Sequence, residues 1–179
     1  MSASTKTPLL GGRVVAPAPS TVSVTATVWW RVVHALAFVV GGATFTAGSS
    51  LLLLPTTDGN AVGVLYTLGS LSFLTVDVLE FFTFTSPRLL RLNILASALG
   101  STAYVIGSIG FIQPVAMTDA GPAVGNWGFI VGSALIGASQ LCKVVRIWRD
   151  RDVENRLDRL TAIGVEGGAG IGAACFLIG

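Results

Sequence analysis

The chain has 179 residues, of which 52% are apolar and only 11% charged, against roughly a quarter charged in a typical soluble domain. So few charges cannot cover the outside of a soluble protein of this length, so lipid is the expected solvent. A net charge of +2 implies no nucleic-acid partner, and one His with two Cys gives neither a disulfide framework nor metal-ligand spacing and implies no cofactor.

Residues 1–27 read as a disordered N-terminal tail. The segment is acid-free, rich in Ser, Thr, Ala and Pro, and charged only at Lys6 and Arg13. It holds too little apolar surface to offset its ordering entropy. An acid-free, hydroxyl-rich start is also compatible with an organelle transit peptide. Thr7-Pro8-Leu9-Leu10 resembles a dileucine sorting signal without its upstream acid.

Four apolar runs follow, at about 28–54, 61–84, 89–112 and 123–148. Each reaches the roughly 20 residues that a helix needs to cross a bilayer. None shows the polar stripe of a buried soluble helix. A fifth run, about 160–179, is a weaker helix candidate, because it carries Glu166 and several Gly. The expected fold is an all-α membrane helical bundle. It has a first transmembrane hairpin at 28–87, a second at 88–148, a charged connector at 149–159, and a last segment at 160–179.

The loops set an expected orientation. Arg31 opens the first run, Arg88 and Arg91 lie between the second and third, and Lys143, Arg146, Arg149, Arg151, Arg156 and Arg159 follow the fourth. The two opposite loops carry only Asp58 and Asp119. By the positive-inside rule the N-terminus and the charged loops are cytoplasmic, with Trp29, Trp30 and Trp148 at the same interface.

An internal repeat organises the runs. Gly41-x3-Phe45-x2-Gly48-Ser49 recurs as Gly100-x3-Tyr104-x2-Gly107-Ser108, an offset of 59 residues, and Pro55 falls on Pro114. Tyr66-x2-Gly69-Ser70 then recurs as Phe129-x2-Gly132-Ser133. Each copy is a two-helix hairpin, so the copies enter from the same side as parallel repeats. The Gly-Ser pairs suit close helix packing, with Ser free to bond its own backbone or a neighbouring helix. These small-residue faces also suit homo- or hetero-oligomers in the lipid bilayer. Gly172 aligns with Gly100 and Phe176 with Tyr104, so the last run reads as the start of a third copy. A fragment of a longer repeat protein is the matching expectation.

The two copies, over about residues 30–146, resemble the YrhK-like membrane domain. The likeness rests on Phe45-x2-Gly48-Ser49-x4-Leu54-Pro55, Tyr66-x2-Gly69-Ser70-x2-Phe73-Leu74, and the matching residues from Tyr104 to Phe111 and from Phe129 to Ser133. That family has no characterised biochemistry. The resemblance therefore implies paired helices and no activity or catalytic residue.

Few residues remain for chemistry. Asp77 and Glu80 share one helix face, and intramembrane carboxylates point to a proton or cation site unless they are paired. The repeat favours pairing, because Asp77 aligns with Gln140 and Glu80 with Lys143, which makes Glu80–Lys143 the expected interhelical ion pair. His34 aligns with Asn93, and an interhelical hydrogen bond is expected there rather than a metal ligand. Glu166 has no partner visible in the sequence. Gly164-x3-Gly168-x3-Gly172 reads as a helix-contact ridge, since no strand precedes it to make a dinucleotide fingerprint. No nucleophile–base set accompanies the repeated serines, so no enzyme is expected. A non-catalytic scaffold or assembly subunit is the first expectation. A small transporter or channel using Asp77, Glu80, Gln140 and His34 is the alternative.

Overall fold

The computed structural model describes residues 27–55, 58–84, 88–149 and 156–178. The expected tail at 1–26, most of the charged connector at 150–155, and Gly179 lie outside the described residues. Five long helices account for nearly all of the rest: α1 (Val28–Leu51), α2 (Gly59–Thr83), α3 (Arg88–Gly110), α4 (Gly121–Arg149) and α5 (Arg156–Ile178). A short 3-10 turn, Val115–Met117, lies between α3 and α4. The first four are long and apolar enough to cross a membrane, so the chain is an all-α, multi-pass membrane protein. The apolar part of α5, Ala162–Ile178, is shorter.

Side chains set the helix starts. Thr27 Oγ1 accepts from the Trp30 amide, and Asp58 accepts from the Asn60 amide at 2.9 Å. Thr118 Oγ1 accepts from the Gly121 amide at 3.1 Å. Each supplies an acceptor for an amide that the helix leaves unpaired. Within the helices, Thr44, Thr46, Ser50, Thr67, Ser72, Thr75 and Thr102 each return the hydroxyl to a carbonyl one turn back. Those bonds let hydroxyls sit at lipid depth without an unpaired donor.

Neighbouring helices run antiparallel. Trp30 meets Thr83 and Ser49 meets Tyr66 across α1–α2. Asp77 meets Ser101, and Asn60 meets the Gln113 amide, across α2–α3. Tyr104 meets Ser133 across α3–α4, and Lys143 meets Glu166 across α4–α5. Each helix packs extensively only on its neighbours in chain order. The bundle is therefore a ring of five helices, with α1 and α5 flanking its open side. The alternation brings the starts of α1, α3 and α5 and the ends of α2 and α4 to one end. Among the described residues, every Lys and Arg lies toward that end.

Inside and outside are reversed relative to a soluble protein. Leu36, Val39, Leu68, Leu71, Leu99, Ile106 and Val131 are exposed on the rim, whereas Ser70, Ser101, Ser108, Ser133 and Ser139 are fully buried. A continuous apolar exterior over a hydroxyl-rich interior fits a hydrocarbon solvent.

The structure corrects one expectation about packing. Gly164, Gly168 and Gly172 make no helix contact: all three are exposed, and a side chain at any of them would meet nothing within 4 Å. The face of α5 that meets α4 is carried instead by Gly170 against Gln140 and Ala173 against Gly137. These lie off the spacing-four ridge, so the ridge points toward the open side of the ring.

Candidate functional site

Two layers of the interior hold the repeated residues, and the first is an aromatic–glycine collar. Within each hairpin the motif aromatic of one helix fills the motif glycine of the other. Phe45 lies over Gly69 and Tyr66 over Gly48 in the first hairpin. Tyr104 lies over Gly132 and Phe129 over Gly107 in the second. The serine that follows completes the joint. Tyr66 OH pairs with Ser49 Oγ at 3.1 Å, and Tyr104 OH with Ser133 Oγ at 2.8 Å. Ser70 Oγ and Ser108 Oγ, 3.3 Å apart, join one hairpin to the other. The motif is therefore a reciprocal knob and socket with a hydroxyl latch. Phe176 of α5 joins the same cluster, 5.3 Å from Phe45 and 5.7 Å from Phe129 between ring centroids.

The latch has a modest expected worth. Tyr104→Phe keeps the ring in its socket and removes only the bond to Ser133. Interhelical hydrogen bonds in membranes average roughly 0.6 kcal/mol and stay under about 2. A loss in that range is expected when unfolding is followed in bicelles. A loss several times larger would mean that the hydroxyl organises the whole collar.

The second layer is a polar cluster nearer the Arg-rich end. Glu80 of α2 lies at its centre. Lys143 Nζ of α4 donates to Glu80 Oε2 at 3.2 Å, and His34 Nε2 of α1 lies 3.1 Å from Glu80 Oε1. Lys143 is also 3.6 Å from Glu166 Oε2 of α5. Four of the five helices thus meet through one network. Trp30 stacks on His34 at 4.4 Å between ring centroids, and its indole N–H donates to Thr83 Oγ1 at 3.1 Å, which fixes the imidazole beside α2.

Asp77 lies one turn deeper and accepts a hydrogen bond from Ser101 of α3. Gln140, its repeat equivalent, is 95% buried, and its Oε1 has no hydrogen-bond partner. Asn93, the equivalent of His34, enters only through its carbonyl, which accepts from Ser139 Oγ at 3.1 Å. Among the described residues, no group of three or more His, Cys, Asp and Glu side chains is placed to hold a metal ion.

The sequence pattern places Asp77, Glu80, Gln140, Lys143 and His34 on inward faces, and the structure brings these five to one end of the bundle. The repeat had left out Ser101 and Glu166. Ser101 had a faint signal in the Ser97-x3-Ser101 spacing on one face of α3. Glu166 stands out in the sequence as a charge within an apolar run, but its partner depends on how α5 rolls against α4.

Asp77, Gln140 and Lys143 also line a cavity of about 690 Å³. Its walls are Gly42 and Thr46 of α1 and Gly168 and Gly172 of α5, so it opens on the side where the ring is not closed. A second cavity, of about 720 Å³, continues it toward the other end and shares Ser49 and Phe176 with it. Together they form one groove between α1 and α5.

With family models, curated proteins and solved structures alike, comparison of the chain gives no match. The functional reading therefore rests on the geometry alone.

Proposed function

We propose that this membrane protein is a non-catalytic subunit or scaffold of a membrane assembly. The observation that carries the reading is the single network through which Glu80, Lys143, His34 and Glu166 tie four helices together. Glu80 is held by Lys143 and His34, Lys143 also faces Glu166, and Asp77 is bonded to Ser101. Buried charges that are paired across helices fix how those helices meet, a registry role well attested for buried polar groups. A path for ions needs groups that exchange partners freely, whereas this cluster is engaged on several sides.

The one-sided distribution of Lys and Arg supports a cytoplasmic N-terminus and cytoplasmic charged loops. Assembly through small-residue helix faces, as a homo- or hetero-oligomer, fits the same reading. Membership of the YrhK-like domain remains part of the proposal, on the strength of the Gly-Ser and Pro positions of the two copies.

A second reading has its own observation. Asp77, Gln140 and Lys143 line a cavity, as a proton- or cation-coupled transporter would require. Reconstitution in proteoliposomes under a pH or cation gradient separates the two. The assembly reading expects no flux above protein-free vesicles. A flux abolished by Asp77→Asn with Glu80→Gln would overturn it in favour of transport.

A further inference from the structure

The groove between α1 and α5 repeats a geometry that the rest of the bundle fills. In each complete hairpin, a glycine of the odd-numbered helix is a socket for a large side chain of its mate. A Cβ on Gly41 would lie 2.9 Å from the Phe73 ring, and one on Gly100 would lie 2.7 Å from Ile136. Phe73 and Ile136 occupy equivalent places, each seven residues after the motif aromatic of its helix. Gly172 is the equivalent glycine of α5, and it lines the groove with nothing within 4 Å. The socket is built and open.

The motif aromatic tells the same story. Phe45 and Tyr104 each occupy the motif glycine of an even-numbered helix, Gly69 and Gly132. Phe176 is their equivalent on α5, and both of those glycines are already taken. On the far wall, Gly42 corresponds to Ser101, the residue through which α3 receives Asp77 of α2. Gly42 is exposed, also with nothing within 4 Å. Both walls thus carry faces that elsewhere in the ring receive an even-numbered helix.

A separate observation shows that the floor is unsatisfied. Gln140 lines the groove, is 95% buried, and has no donor for its Oε1. A buried acceptor without a partner costs free energy comparable to a lost hydrogen bond, and more in a membrane interior. The charges around it are unbalanced in the same sense. Asp77, Glu80 and Glu166 face Lys143, with His34 at the margin and the charge of Arg146 acting on Glu166 from further along α4. The site asks for a hydrogen-bond donor, and a cation suits it best.

We propose that this groove seats one transmembrane helix of a partner polypeptide, antiparallel to α1 and α5 and patterned like α2 and α4. Its features follow from the sockets. It carries an aromatic, then Gly-Ser to receive Phe176, a large apolar side chain over Gly172, and a donor or cation at the level of Gln140. In this chain that pattern reads Phe129-x2-Gly132-Ser133-x2-Ile136-x3-Gln140-x2-Lys143. The partner helix completes a ring of six with three-fold pseudosymmetry. The proposal rests on the assembly reading above and names the kind of partner that reading requires.

The probe is a synthetic peptide of residues 121–149 carrying Ile136→Cys and Cys142→Ser, inserted with the full chain into phosphatidylcholine nanodiscs. The chain carries Cys142→Ser and Cys175→Ser, which remove its free thiols. Single cysteines are then placed at Gly172, at Thr46, or at Leu99 on the lipid-facing rim. Disulfide formation with the peptide is expected for Gly172→Cys and Thr46→Cys, and only at background for Leu99→Cys. Adding Gly172→Leu to Thr46→Cys fills the socket and is expected to cut cross-linking about tenfold, as overpacking of a close contact does. Because Gly172 faces open space, these variants are expected to keep the parent melting temperature, and Gly172→Ala is expected to lower cross-linking by Thr46→Cys less than Gly172→Leu does.

Equal cross-linking at Leu99 would overturn the proposal. So would disulfides between two copies of the Gly172→Cys chain formed faster than those with the peptide, since the groove would then seat a second copy. Labelling of the groove by a photoactivatable phospholipid that the peptide does not displace would assign it to lipid. The flux assay distinguishes the two levels of argument. Peptide docking together with a gradient-driven flux sinks the assembly reading alone, whereas no docking and no flux sinks the groove proposal alone.

Discussion

Replacing Glu80 with leucine is expected to destabilise the bundle by roughly 3 kcal/mol or more, the usual cost of leaving the partner of a buried ion pair uncompensated. Glu80 is the common neighbour of Lys143 at 3.2 Å and His34 at 3.1 Å. Its removal leaves Lys143 with Glu166 at the longer distance of 3.6 Å, and leaves His34 without its carboxylate. Lys143 is buried, so water cannot make up the loss. The double variant Glu80→Leu with Lys143→Met takes out both charges at once. It is expected to recover most of the lost stability, because an apolar pair of similar volume often replaces a buried ion pair at little cost. Unfolding of the three proteins in bicelles gives the comparison. If Glu80→Leu alone melts like the parent, the cluster does not hold the helices together, and the scaffold reading loses its main support. If the double variant is as unstable as the single one, the carboxylate acts through His34 rather than through Lys143.

The reason these groups converge was largely legible in the sequence. An offset of 63 residues places Glu80 on Lys143 and Asp77 on Gln140, and equivalent inward positions of parallel hairpin repeats meet at one depth on the bundle axis. The helices were legible too, since unbroken apolar runs leave the backbone little alternative to internal hydrogen bonds. Their ends were less so. α1 stops at Leu51 and the chain turns through 52–54, although those residues are apolar, whereas α2 begins at Gly59 because Asp58 caps it. What a linear pattern does not carry is the angle at which one helix rolls on another. That angle decides that Tyr66 enters Gly48 and Phe45 enters Gly69. It also decides that the ridge of Gly164, Gly168 and Gly172 turns away from α4, and that Glu166 comes to Lys143. The same repeat that made the glycines look like contact residues explains why Gly172 is shaped as one and yet touches nothing.

Not all glycines of the bundle are equivalent, and Gly128→Ala is the substitution expected to show it most sharply. A Cβ at Gly128 would lie 2.5 Å from Gly107 Cα, 2.7 Å from Gly107 N and 2.8 Å from the Ala103 carbonyl. Each of these is a backbone atom, so no side chain can swing aside, and α3 and α4 must separate along their length. Overpacking of this kind costs about 1–3 kcal/mol, and a rigid backbone contact belongs at the upper end. Separation also pulls Phe129 from its socket on Gly107 and lengthens the Tyr104–Ser133 bond, so the collar loosens with the interface. Gly42→Ala adds the same methyl group where nothing lies within 4 Å, and is expected to leave stability unchanged or raise it by up to about 1 kcal/mol. The two glycines match in helix propensity, so their difference isolates packing from backbone entropy. The ranking is read from unfolding in bicelles, with Gly42→Ala as the reference. Equal losses for the two variants would mean that α3 and α4 do not approach through Gly107 and Gly128. A loss for Gly42→Ala that appears only when the α4-pattern peptide is present would place a helix against that wall.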